Sequence, residues 1–279
     1  MRRVKELPRF IARAPKEGPR VLVADIETLP IKGYVWSLFQ KGMNPEWIED
    51  PTRLMSFAGK WLNDPAYYYI DNRNRPDGPR DDFLSVSAAH HILQHTDMVV
   101  AHNGKKFDLR KLRAFFAMHR LAPIAPVQVI DTLHLNATAF GFDSQRLAFV
   151  SQHFAATEKS KHNDFPGSSL WLEYMKDNPK AYEACHRYNR DDILANEEMY
   201  LELRGWYTAA PNMGVFFEEQ EEGVHRCPTC GSDNVHIHKH NRRTQVGVYH
   251  QYKCGDCGSY SRGRYIIRNK QERAHVLVG

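Results

Sequence analysis

The order of segments along this chain predicts an α/β fold, a sheet flanked by helices, followed by a small four-cysteine module. Three observations carry that reading. Strand-like and helix-like stretches alternate through the first three quarters of the chain, two acidic residues interrupt the first apolar strand, and two Cys-x-x-Cys units stand near the C-terminus. At 279 residues the chain is long enough for one sizeable domain plus a small module.

Residues 1–18 are basic and include Pro8 and Pro15, with Pro19 just beyond, and read as a flexible arm. Val21–Ile26 is an apolar strand, and further strands are expected at Leu54–Leu62 and Tyr67–Ile70. The stretch Asp71 to Pro79 is dense in turn residues and reads as a loop. From Asp81 to His95 the apolar residues Phe83, Leu84, Val86, Ile92 and Leu93 recur at helical spacing. Met98–Ala101 is a short buried strand, Leu109–Met118 a helix, and Val127–Ile130 another strand. Pro179 opens a long helix that runs to about Leu203, because proline suits a first helical turn. Pro211 and the acidic run Glu218-Glu-Gln-Glu-Glu222 mark a linker. The expected organisation is a basic arm (1–18), a main domain (19–208), an acidic linker (209–223), a metal module (224–268) and a tail (269–279).

Hydrophobic residues make up 42% of the chain and charged residues 25%, ordinary values for a globular protein. No apolar run approaches membrane-spanning length, and Met1–Pro8 lacks the apolar core of a signal peptide, so a cytoplasmic protein without a membrane partner is expected. The charge is partitioned. Residues 1–20 carry seven Lys/Arg against two Glu, residues 224–279 carry ten against three Asp/Glu, and with a total of +5 the body between them is net −7. An acidic body with basic ends fits an enzyme that gathers cations at its centre and holds a polyanion at its periphery.

Asp25 and Glu27 lie in the run Val21-Leu-Val-Ala-Asp-Ile-Glu-Thr28. On a strand, residues i and i+2 share a face, so both carboxylates project together. Alone, such a pair is a strand end with two solvated acids; hard divalent cations, which prefer oxygen ligands, are the alternative. A second cluster, Ala101-His-Asn-Gly-Lys-Lys-Phe-Asp108, falls where a strand gives way to a helix. Asp108 would sit near that helix's N-terminus, where negative charge is favoured. The third cluster is Tyr188-Asn-Arg-Asp-Asp192. Tyr188 and Asp192 stack at i and i+4 on one helix face, whereas Asp191 is rotated away.

Cys227-Pro-Thr-Cys230 and Cys254-Gly-Asp-Cys257 read as a zinc ribbon, because two tight turns supply the four thiolates of a tetrahedral structural Zn²⁺ site. The 23 residues between the pairs fit a long hairpin. That hairpin carries His236, His238 and His240 at strand spacing, with Lys239, Arg242, Arg243, Tyr249, Tyr252 and Lys253, a basic and aromatic mixture suited to nucleic acid. Cys185 stands apart in a helical stretch as a small core residue.

In order and spacing, Asp25-Ile-Glu27, His102-Asn103-Gly104 with Phe107-Asp108, and Tyr188-x-x-x-Asp192 resemble the three exonuclease motifs of the DEDD superfamily over roughly residues 19–208. The histidine branch of that superfamily has His five residues before the last Asp; here that position is Arg187, so the chain resembles the tyrosine branch. It is most similar to exonucleases, many phage-encoded, related to the proofreading domain of family B DNA polymerases. The resemblance implies a ribonuclease H-like mixed β-sheet flanked by helices and 3′-5′ hydrolysis of DNA at single-stranded or frayed ends, in a bacterial or phage-infected cell. It further implies that Asp25, Glu27, Asp108 and Asp192 hold two Mg²⁺ or Mn²⁺ and that Tyr188 orients the attacking water, since a tyrosine of ordinary pKa near 10 is a poor general base. Thr28, Leu29 and Asn103 match positions that contact the terminal nucleotide. Two alternatives stay open: an RNase or structure-specific nuclease, and a recruitment module whose ribbon docks on a replication or repair protein.

Overall fold

The computed structural model describes residues 2–39, 41–157, 164–217 and 223–277. Its central element is strand β1 (Val21–Leu29), whose alternating side chains feed two cores. Leu22, Ala24 and Ile26 enter one core, and Val21 and Val23 the other, the period-two pattern of a strand covered on both sides.

Around β1 the sheet is mixed. After a short hairpin of β2 (Lys32–Gly33) and β3 (Ile48–Asp50), strands β4 (Arg53–Trp61) and β5 (Tyr67–Asp71) pair antiparallel on one side. The chain continues through helix α2 (Phe83–Gln94), and β6 (Met98–Ala101) then pairs parallel to β1 on the other side. Helix α3 (Asp108–Met118) leads to β7 (Gln128–Asp131), parallel to β6, completing the order β5-β4-β1-β6-β7. One face is covered by α2 and α3 through residues such as Val86, Ile92, Leu112 and Phe115. The other face meets α5 (Leu147–Phe154) and the 25-residue helix α7 (Pro179–Leu203), with α4 (Thr132–Ala139) and α6 (Ser169–Tyr174) preceding each of them in the chain.

The expected flexible arm is instead a helix, α1 (Arg2–Ile11), with Pro8 inside it. Leu7 and Phe10 are buried in the first core, Phe10 stacks on Trp61 at 5.3 Å, and Trp61 Nε1 donates to Phe10 O at 2.8 Å. Turn-forming prolines concealed an amphipathic segment. The start of the expected linker is also structured: Met213, in the short helical turn Met213–Phe216, is buried in the second core. The acidic run Glu218–Glu222 lies outside the described residues. In the tail, Arg273 Nη1 donates to Val246 O at 3.0 Å.

The C-terminal module has strands β8 (Val235–Ile237), β9 (Arg242–Thr244), β10 (Gly247–Cys254) and β11 (Tyr260–Ile266), in the order β11-β10-β8 with β9 also on β10. It packs tightly on the main domain. Gly205, just beyond α7, approaches Cys257 O so closely that a Cβ there would lie 2.2 Å from it. Phe217 sits between Gly18 and Gly231, where added Cβ atoms would come within 2.5 and 2.6 Å of its ring. Both glycines have positive φ, +70° and +78°, so any side chain is refused on two counts.

A buried ion pair anchors α7 to β4. Lys60 Nζ pairs with Glu197 Oε2, both side chains under a tenth exposed, and Asn63 N donates to Glu197 Oε1 at 2.8 Å. Removing Glu197 leaves the Lys60 charge buried and the Asn63 backbone donor without this acceptor. The Glu197→Ala protein is expected to lose about 3–5 kcal/mol in urea-induced unfolding, and the Lys60→Met, Glu197→Leu double variant to regain most of it. A single-variant loss below about 1 kcal/mol would contradict this role for the pair.

Candidate active site and zinc centre

The face of β1 that packs against α7 changes character midway. Val21 and Val23 meet Ile193, Met199 and Leu203 in one apolar cluster, while Leu29, at the other end of the strand, meets Ala181, Ala184 and Cys185 in another. Between the clusters the same face presents Asp25 and Glu27, and α7 presents Asn189 and, three residues on, carries the buried Asp192. The register of β1 on β4 shifts between Glu27 and Thr28, a bulge of the kind that re-aims side chains beside functional sites.

Two hydrogen bonds draw neighbouring elements to this stretch. Asp108, the first residue of α3, accepts from Ile26 N at 3.2 Å, so its carboxylate lies beside the backbone between Asp25 and Glu27. Asn189 Nδ2 donates to Asp25 Oδ2, and Asn189 Oδ1 accepts from Ser56 Oγ at 2.7 Å. The buried amide is thereby fixed in orientation, with its amino group toward the acid. Burial pushes the Asp108 carboxyl up to about 7, against the backbone hydrogen bonds that favour its charged form and with a further push from Asp131.

Asp131, at the end of β7, organises the loop after β6. Its carboxylate accepts from Asn103 N at 3.1 Å, Lys105 N at 3.0 Å and, as the cap of α4, His134 N at 3.3 Å. This holds Asn103 at φ +70° and delivers Asp108 to the start of α3. His102 turns away from the acids, with Nδ1 3.0 Å from Thr132 Oγ1 and Nε2 2.9 Å from Gln145 O. Thr132 Oγ1 also donates to Asn196 Oδ1 at 2.8 Å, tying α7 to the ends of β6 and β7.

The sequence-derived residues divide accordingly. Asp25, Glu27 and Thr28 are partly exposed on β1, Asp108 and Asp192 are buried, and Tyr188 is half-buried one turn before Asp192 on α7. Leu29 is fully buried among Met55, Leu170 and Tyr174, so its side chain does not face a ligand, and Asn103 stands in its strained loop position. Asp191 lies off the face shared by Tyr188 and Asp192. It is buried and paired with Arg190 at 2.7 Å. Cys185 is the expected core residue, 3.5 Å from Ser56 Oγ. Sequence reading passed over Asn189, inside the Tyr188–Asp192 motif, and Asp131, which ends an apolar run immediately before a helix. Beyond β1 the segment Ile31 to Phe39 exposes Tyr34, Trp36, Leu38 and Phe39, with Trp36 packed on Trp47 at 4.9 Å.

Among the described residues, the four cysteines are the one group of three or more metal-ligating side chains whose ligand atoms all lie within 4.8 Å of one another. Cys227 and Cys257 Sγ are 3.6 Å apart, and Cys230 and Cys254 Sγ 3.7 Å apart. Tetrahedral Zn²⁺ with bonds of about 2.3 Å requires sulfur separations of about 3.8 Å, so the donor set fits zinc. Gly231 and Gly258, each following a Cys-x-x-Cys, have φ of +78° and +73° and let the chain turn back under the metal position. Hydrogen bonds from Cys230, Cys257 and Ser259 hold the Cys227 thiol well below its ordinary range.

A family model described as RNase_H superfamily matches residues 62–204. A solved structure of the family B DNA polymerase from the hyperthermophilic archaeon Pyrobaculum calidifontis superposes with a TM-score of 0.51 at 16% identity. The aligned part covers 66% of this chain and 24% of the polymerase, so the chain corresponds to about a quarter of that protein. No curated protein matches the sequence. Among the described residues, no helix is long and apolar enough to cross a membrane.

The position of Asp108 predicts a pH dependence. Between the ordinary value of 3.8 and about 7 the folded protein keeps a proton that the unfolded chain releases, so this group's contribution to stability falls as pH rises through that window. Asp108→Asn retains an oxygen for Ile26 N and removes the charge. Without added divalent cations the variant should resist urea better than wild type at about pH 8 and match it near pH 4. Equal midpoints at both pH values would show that the buried carboxylate carries no such penalty.

Proposed function

This chain belongs to the RNase H superfamily, and on that premise we propose that it is a divalent-metal-dependent 3′-5′ exonuclease of the tyrosine branch, acting on single-stranded or frayed ends of DNA. The observation that carries the reading is the acidic break in the β1–α7 interface, where Asp108 and Asn189 are both hydrogen-bonded to the segment that carries Asp25 and Glu27.

Asp25, Glu27, Asp108 and Asp192 are the residues that would hold magnesium or manganese. Their fit rests on donor chemistry: hard oxygen ligands, and a buried Asp108 whose raised pKa expresses the cost of its uncompensated charge. Bound there, such ions would supply the charge that lowers the pKa of an attacking water and offsets negative charge developing at phosphorus. Asn189 donates to Asp25, and Thr28, just past the bulge after Glu27, is assigned to the terminal nucleotide. Tyr188, one helical turn from Asp192, positions the water through its hydroxyl. The exposed aromatics Tyr34 and Trp36 border the end of β1 and suit unpaired bases, which supports a preference for single strands. The zinc ribbon supplies a second contact with the substrate.

The test is hydrolysis of 5′-labelled single-stranded DNA and RNA with Mg²⁺ or Mn²⁺, products being resolved by length. Wild type should shorten DNA stepwise from the 3′ end, Asp25→Ala should abolish this with the fold intact, and Tyr188→Phe should slow kcat by roughly 10- to 1000-fold with little change in KM. Full activity of Asp25→Ala, or internal cuts without a 3′ ladder, would overturn the proposal. RNA degraded faster than DNA would transfer the reading to an RNase.

A further inference from the structure

The ribbon sheet has two unlike faces. Register places Tyr252 opposite Ser261 and Ile237, and on that side the tyrosine itself is covered though Ile237 is exposed: Tyr252 is buried, His225 packs edge-on against it at 4.5 Å, and a Cβ on Gly263 would sit 3.3 Å from its ring. The expected exposed role of Tyr252 is therefore withdrawn. Lys253 pairs with Tyr260 and His236, and Gln251 with Arg262, so these side chains share the opposite face; Arg264 follows on β11, where the register on β10 shifts.

That second face is open and cationic. His236, Lys253, Tyr260, Arg262 and Arg264 are all exposed to solvent. Lys253 Nζ lies 5.6 Å from the Tyr260 ring centroid, the Arg262 guanidinium 4.5 Å over Tyr249, and His238 meets the edge of Tyr260 at 5.2 Å. The four strands contain no Asp or Glu. Phosphates would meet no opposing carboxylate on these strands, and Lys253 and Arg262 already lie against the tyrosine rings.

We propose that this face is a platform for single-stranded nucleic acid, with Lys253, Arg262 and Arg264 on phosphates and Tyr260 and Tyr249 beneath bases; it rests on the nuclease reading only for the identity of the polymer. The ribbon is held in place by the close packing at Gly205 and Phe217, so the platform has a fixed offset from the acidic site. Thirteen residues separate Asp192 from Gly205, which at about 1.5 Å per residue is roughly 20 Å along α7. At about 3.4 Å per nucleotide of one strand, spanning even the stretch from Asp192 to the knuckle takes roughly six nucleotides. Strands shorter than that reach one site or the other. Longer strands reach both.

Binding of labelled single-stranded DNA of about 20 and about 4 nucleotides is measured by anisotropy over a series of salt concentrations, without added divalent cations, using the full chain. The Lys253→Ala, Arg262→Ala, Arg264→Ala variant should bind the long strand at least about ten-fold more weakly. Its log–log salt slope should be shallower by about 2, at about 0.7 for each of the three phosphates that it no longer neutralises. With Mg²⁺ added, its hydrolysis of the short strand at saturating substrate should match wild type. In the wild-type protein, an oligonucleotide carrying 5-iodouracil should photo-crosslink to Tyr249 or Tyr260, a readout that does not depend on any variant folding. Unchanged affinity and slope in a triple variant that retains zinc, or crosslinks that avoid both tyrosines, would overturn the platform and favour a protein partner for this face. A protein that binds the long strand through this face yet hydrolyses nothing would instead defeat the nuclease reading and leave the platform standing.

Discussion

The seating of α7 across β1 and β4 is the constraint on which the rest of the molecule depends. Apolar packing at both ends of the strand, through Val21 and Val23 on one side and Leu29 on the other, fixes the helix in register. The polar residues between them then have their partners dictated. Asn189 must face Asp25 and Ser56, Glu197 must face Lys60, and Asn196 must face Thr132. Beyond Leu203 the same helix meets the second zinc knuckle at Gly205. One element thus sets the geometry of the acidic site, the loop behind it and the ribbon.

Electrostatics opposes this arrangement, and the opposition is informative. Burial and Asp131 keep Asp108 protonated to about pH 7, while hydrogen bonds from backbone N–H groups hold its carboxyl in place. A structure selected for stability alone would replace such an acid with an apolar residue, because an isolated buried carboxylate is costly. The cost is explicable if a cation completes the site. The ribbon inverts the pattern, with ten Lys/Arg against three Asp/Glu in residues 224–279. A chain negative where it would hold cations and positive where it would hold a polyanion has its charge divided by task rather than averaged.

Much of this was legible in the sequence because the signals are local. The alternation of apolar runs placed all five strands of the main sheet to within a residue or so, apart from the far end of β1, and the long helix opens at Pro179 as expected. Cys-x-x-Cys spacing located a thiolate cluster whose geometry fits zinc. What escaped depended on tertiary context. Helix α1 hid behind Pro8 and the prolines that follow it, because Phe10 declares itself only once Trp61 is beside it. Asn189 and Asp131 carry no chemistry of their own and matter through the groups they orient. Leu29 and Tyr252 looked like ligand contacts by position; packing against α6 and α7 covers Leu29 on the same face as the acids, and strand parity turned Tyr252 inward.

The most direct measurement of the central claim is the location of Mn²⁺ by anomalous scattering from crystals of the protein soaked in manganese. Peaks bounded by Asp25, Glu27, Asp108 and Asp192, lost in crystals of the Asp108→Ala protein while the zinc peak among Cys227, Cys230, Cys254 and Cys257 persists, are the predicted result. Manganese absent from the β1–α7 break, or bound only elsewhere on the surface, would contradict it.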